Sequence, residues 1–115
     1  MPTFLENGLQ VADQQLIDDV VRRIVDRFHP RRVVLFGSHA RGDATAESDI
    51  DLFIEMDSPL RPIDRAVEVD RLFPGRLWGL DVFVYTPAEV ADARTRSGNL
   101  INYVDAEGKV LYEQP

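Results

Sequence analysis

"LFGSHARGDATAESDIDLFIE", residues 35–55, decides the fold. From Asp49 to Met56 polar and apolar residues alternate, with Ile50, Leu52 and Ile54 on one side and Asp49, Asp51, Phe53 and Glu55 on the other. That is the period of an extended strand. Upstream, Val33, Val34, Leu35 and Phe36 form a continuous apolar run stopped by Gly37, which reads as a strand buried on both faces. A polar loop with Gly42, Asp43 and Thr45 joins the two. Side chains at i and i+2 of a strand share a face about 6 to 7 Å apart. Asp49 and Asp51 are therefore side by side, with a repulsion of about 2 to 3 kcal/mol at an effective dielectric near 20. A protein keeps such a pair only where a cation or a donor offsets it.

Outward from this stretch, Leu16, Val20, Ile24 and Phe28, flanked by Ile17, Val21 and Val25, predict a helix over about 13–28 with one face on the core. Asp13 caps its start, and Pro30 prevents continuation beyond His29. After Pro59 and Pro62, a helix carrying Ile63, Ala66 and Val67 ends before Pro74 and Gly75. Leu80, Val82 and Val84 alternate with Asp81, Phe83 and Tyr85, giving a third strand between Gly79 and Pro87. Thr86, Pro87 and Glu89 mark a helix start running toward Arg96. Gly98 interrupts it, a further helical piece covers Leu100 to Val104, and Val110, Leu111 and Tyr112 form an edge strand or a tail. The predicted fold class is α/β (α+β), a small mixed sheet with helices packed on one side and an acidic cleft on the other. A single domain over 1–115 is expected, with the N-terminal helix at about 13–28, the motif region at 33–85 and a helical C-terminal segment and tail at 86–115.

Composition agrees with a globular domain: the 115 residues are 44% hydrophobic, with charge interleaved among them. The absence of cysteine excludes disulfides and thiolate zinc sites. Residues 1–10 lack the features of a signal peptide and no apolar run reaches 18 residues, so the expectation is a cytoplasmic protein without membrane contact. Thirteen basic against twenty acidic residues give a net charge of -7, which argues against a protein that grips nucleic acid through its phosphates.

Asp81 sits at the same phase of its strand as the aspartates of the preceding one and brings a third carboxylate toward them. Oxygen ligands without histidine or cysteine suit a hard cation, and magnesium binds through one or two carboxylates while keeping positions for water and substrate phosphate. A nucleoside triphosphate is the ligand this implies. Gly37 permits close backbone approach, and amides of the following turn together with the Ser38 hydroxyl can bind phosphate oxygens. Two magnesium ions would hold attacking and leaving oxygens in line.

Gly37-Ser38, a variable loop, Ser48-Asp49-Ile50-Asp51-Leu52 and a later Asp81 resemble the nucleotidyltransferase superfamily that includes DNA polymerase β. Within it, "GSHARGDATAESDIDLFIE" is similar to the minimal nucleotidyltransferases, and the likeness covers about 33–85. The resemblance implies Asp49 and Asp51 as main metal ligands, Asp81 as the third carboxylate beside the attacking hydroxyl, and Gly37 with Ser38 on the triphosphate. It further implies Arg41 as a phosphate or product contact and Ser48 as an orienting residue. Such proteins resemble the antitoxin halves of two-gene modules that transfer AMP from ATP to a tyrosine of a HEPN-type ribonuclease toxin. The alternative is a non-catalytic antitoxin of the same fold that neutralises its partner by contact.

A plainer reading stands beside each assignment. Asp49 and Asp51 could be surface aspartates paired to arginines, Asp81 an ordinary strand-start residue, Arg41 a solvated loop charge and Ser48 a turn former. His39 is read as exposed, Phe73 and Trp78 as packing, and Phe53 either as a wall of the site or as packed on the first helix. At this length the acceptor is brought by another chain, so a partner protein or a homodimer is expected. Leu100, Ile101, Tyr103 and Val104 are its docking surface or else ordinary core.

Overall fold

Two strands that each contribute an aspartate run parallel in the middle and at the edge of a four-stranded mixed sheet. The computed structural model describes residues 1–115. The chain order is α1 (Gln14–Phe28), β1 (Arg32–Phe36), α2 (Ser38–Arg41), β2 (Ile50–Glu55), α3 (Pro62–Asp70), β3 (Leu80–Tyr85), α4 (Pro87–Ala93), α5 (Leu100–Glu107) and β4 (Lys109–Glu113). The sheet order is β3-β2-β1-β4. β1 is antiparallel to both β2 and β4, whereas β2 and β3 are parallel and joined by the crossover through α3.

Local chemistry places each helix. The Asp13 carboxylate accepts a hydrogen bond from the Leu16 amide, and His29 closes α1 in the left-handed conformation. Thr86 and Glu89 form a reciprocal capping box on α4, and Asn99 with Asn102 forms another on α5. The short α2 occupies the start of what the sequence presented as a loop.

Ile50, Leu52 and Ile54 of β2 join Val33 and Leu35 against Ile17, Val20, Val21 and Ile24 of α1 and Val69 of α3. The opposite face is not wholly open. Val34, Phe36 and the fully buried Phe53 pack with Val90 and Ala93 of α4 and Ile101 and Val104 of α5. Helices on one side, as expected, describes α1 and α3; α4 and α5 cover part of the other face because the apolar row at Val34 and Phe53 has to be shielded from water. Phe53 accordingly packs on α4 and α5 and not on α1. Ile101 and Val104 are core, so of the four C-terminal residues considered as a docking surface only Tyr103 is exposed. The aspartate ends of β2 and β3 stay accessible, with Asp49 and Asp81 both exposed.

Two arginines, the buried Arg65 and the partly buried Arg32, fasten the frame. Arg32 lies opposite Glu55 in the β1–β2 register, with its Nε donating to Glu55 Oε1 at 2.8 Å and its guanidinium over the Phe53 ring. Arg65 of α3 donates to the carbonyls of Leu60 and Val84 and to Glu89, tying α3, β3 and the α4 cap together. No helix is long and apolar enough to cross a membrane.

Removing one member of a buried ion pair strands the other charge. Arg32→Met is expected to destabilise the protein by about 3 to 5 kcal/mol, while the double variant Arg32→Met, Glu55→Leu recovers most of that loss. Urea denaturation of the three proteins measures this, and equal midpoints for the single and double variants would refute it.

Candidate active site

The β2–β3 register sets Asp51 directly beside Asp81, and Ile50 beside Leu80. Neighbouring strands lie about 4.8 Å apart, so this pair is closer than Asp49 and Asp51, two residues apart along the chain. Asp49 precedes β2 by one residue, and one step back along the same register brings it to Gly79; the Ile50 amide donates to the Gly79 carbonyl at 3.0 Å. Asp49, Asp51 and Asp81 thus stand on one face at the open end of the sheet. Like charges have no cause to converge unaided, and no three acidic or histidine side chains are already gathered at metal-ligand spacing.

Two glycines make room for these carboxylates. A methyl group on Gly37, which has φ +74°, would overlap the Asp51 carboxylate, and one on Gly79 would overlap that of Asp49. Each carboxylate therefore lies against bare backbone. Gly79 appeared in the sequence only as a strand boundary; the signal for its role is its position two residues ahead of Asp81 in a strand parallel to β2.

Electrostatics single out Asp51. Its carboxyl is pushed up to about 6, first by burial, then by the charge of Asp81 and a hydrogen bond shared with it, and then by Asp49; His39 acts in the opposite direction. His39 is half-buried rather than exposed, and its Nε2 lies 3.2 Å from the Ser48 carbonyl. Because a carbonyl only accepts, Nε2 carries the proton. That bond ties α2 to the end of the loop.

Ser38 is half-buried at the start of α2 beside Gly37. The Ser48 hydroxyl accepts from the Thr45 amide at 2.8 Å, so it closes the turn before Asp49. Arg41 donates from Nε to Asp43 at 3.2 Å and from Nη1 to the Tyr103 hydroxyl at 2.8 Å. Phe73 and Trp78 pack edge to face on one another. The donor set at the three aspartates is all carboxylate oxygen, which fits magnesium and leaves positions for phosphate.

The raised value at Asp51 has a stability consequence with a definite sign. Between the ordinary 3.8 and about 6 the folded protein binds more protons than the unfolded chain, so stability falls as pH rises through this window and stays lower above it. Asp51→Asn is expected to melt higher than the parent at pH 7.5 in chelator, with the gap narrowing toward pH 4. Thermal melts across that range test it; a gap independent of pH would refute the assignment.

The nucleotidyltransferase domain family matches residues 17–112. Two Methanocaldococcus jannaschii proteins whose names propose protein adenylyltransferase activity are similar in sequence. One is 40% identical over 45 residues, covering 36% of this chain and 45% of the relative. The other is 41% identical over 44 residues, covering 36% and 44%. The matched stretch thus spans less than half the length of either relative. In fold, the chain is similar to a proposed nucleotidyltransferase from Sulfolobus solfataricus, with TM-score 0.60 and 22% identity over 87% of this chain and 79% of that one. It is also similar to a chain of a toxin-antitoxin crystallised with AMP-PNP, with TM-score 0.58 and 20% identity over 84% and 73%. A mutant of the toxin-antitoxin MntA-HpeT gives TM-score 0.58 and 19% identity over the same shares. With a family match across most of its length, the chain belongs to the nucleotidyltransferase domain family.

Proposed function

We propose that this nucleotidyltransferase transfers AMP from ATP to a hydroxyl of a partner protein, a tyrosine of a HEPN-type toxin, and so acts as an antitoxin. The observation that carries the reading is the Asp51–Asp81 rung beside Asp49, three carboxylates on one open face with glycine backbone behind two of them. The names of the archaeal relatives support protein adenylylation, and the toxin-antitoxin folds support a protein partner. Asp49, Asp51 and Asp81 would hold magnesium, in two ions, which when bound supplies charge neutralisation at the α-phosphate and the departing pyrophosphate.

The chain's own groups account for the rest. The acceptor oxygen forms a bond to the α-phosphorus, the bond from that phosphorus to pyrophosphate breaks, and the acceptor proton passes to the exposed Asp81 carboxylate. Amides of the turn at Gly37 and Ser38, with the Ser38 hydroxyl, hold phosphate oxygens. Arg41, steadied by Asp43 and Tyr103, adds positive charge at the rim. Gly79 keeps the Asp49 carboxylate free to turn toward its ligand.

One observation favours the contact-only antitoxin as a second reading: the three carboxylates are not already gathered to hold an ion. Labelled ATP, magnesium and a HEPN-type toxin offered as the partner separate the two. The enzyme labels the toxin, and Asp49→Asn, Asp51→Asn lowers the rate by about a hundredfold or more, the scale on which losing transition-state charge stabilisation is felt. Undiminished transfer by that variant would end the metal assignment. Saturating ATP with magnesium at about 100 times Kd should stabilise the chain by about 2.7 kcal/mol. No thermal shift at millimolar ligand, with the toxin still neutralised, would establish the contact-only antitoxin.

A further inference from the structure

We propose that Phe83 and Tyr103, both packed on Phe36, form the subsite for the nucleobase of the bound nucleoside triphosphate, an inference that rests on the nucleotidyltransferase reading of the adjacent carboxylates. Phe36 lies in register beside Asp51, on the strand opposite Asp81. Its ring reaches across β2 to Phe83, at 5.7 Å between centroids, and meets Tyr103 of α5 edge-on at 6.1 Å. Phe83 follows Asp81 by two residues and shares its face, so the aromatic group begins about 6 to 7 Å from the third carboxylate.

Exposure separates these rings from the others. Phe36 is buried, but Phe83 is 40% and Tyr103 37% exposed, leaving ring surface open to solvent next to the acids. Phe53 is fully buried, Tyr85 packs on it, and Phe73 and Trp78 satisfy one another beneath the cations of Arg23 and Arg76. A nucleoside triphosphate has a flat apolar end and a polyanionic end. The structure offers a matching sequence of surfaces: open aromatic faces at Phe83 and Tyr103, the Arg41 guanidinium bonded to the Tyr103 hydroxyl, then Gly37 and Ser38. Stacking on an aromatic face accepts any base, so this subsite supplies affinity for a nucleoside and little choice among bases.

The test compares AMP-PNP with inorganic tripolyphosphate, which lacks a base, by calorimetry in magnesium with no partner protein present. Phe83→Leu should weaken AMP-PNP binding roughly five- to hundredfold and leave tripolyphosphate within about twofold, the range expected for loss of one base–aromatic stack. Tyr103 also bonds Arg41, so its ring is read from Tyr103→Leu against Tyr103→Phe, which lose the hydroxyl alike; the leucine variant should bind AMP-PNP more weakly by a similar factor. Both positions are partly exposed, and unchanged thermal melts verify that the variants fold. AMP-PNP affinity unaffected by Phe83→Leu, or equal losses for both ligands, overturns the subsite. A parent protein that binds neither ligand overturns the nucleotidyltransferase reading beneath it, and the subsite with it.

Discussion

Asp51 and Asp81 occupy one rung of a parallel ladder, and the repulsion between them is the constraint around which this small fold is arranged. At about 5 Å and an effective dielectric near 20, two full charges would repel by about 3 kcal/mol. Opposing this are Ile50, Leu52 and Ile54 of β2 and Leu80 and Val84 of β3, all buried on the other face. Each buried side chain of this kind contributes about 1.5 to 3 kcal/mol. A slip of one residue in β3 would separate the aspartates but turn its apolar set away from α1 and α3. Hydrophobic burial wins, and it holds the acids together.

The rung is usable because it lies where the packing stops. α4 and α5 shield the row at Phe53 and leave Asp49 and Asp81 in contact with water. Glu55, only four residues beyond Asp51 on the same strand face, shows the contrast: inside the packed region a carboxylate is kept only with Arg32 beside it. At the open end no arginine pairs with the aspartates, and burial, followed by the charge of Asp81, raises the Asp51 carboxyl. Charge compensation built into the frame at one end of β2 is withheld at the other.

Much of this was legible in the residues themselves. Leu80–Tyr85 is a strand over the span its alternation predicted, α1 begins just after its predicted cap Asp13, and the capping box at Thr86 and Glu89 forms as read. Alternation also placed the acids on one face, since a strand has only two. What depended on partners was less accessible. β4 was readable only as a strand or a tail, because three apolar residues do not specify the β1 edge that receives them. α5 extends past Val104 to Glu107, where Asp105 pairs with Arg94 at the end of α4. The roles of Gly37 and Gly79 as clearances for two carboxylates belong to the register between β1, β2 and β3, which no single stretch contains.

Arg65 has an effect that reaches beyond the latch it forms. β3 is an edge strand, and the Ile50 and Met56 amides take the carbonyls of Gly79 and Tyr85, so the Val84 carbonyl points away from the sheet. The Arg65 guanidinium occupies that carbonyl. An incoming strand from another copy would need the same acceptor and would meet a buried cation instead. At that point the outer edge of β3 offers another strand no free acceptor.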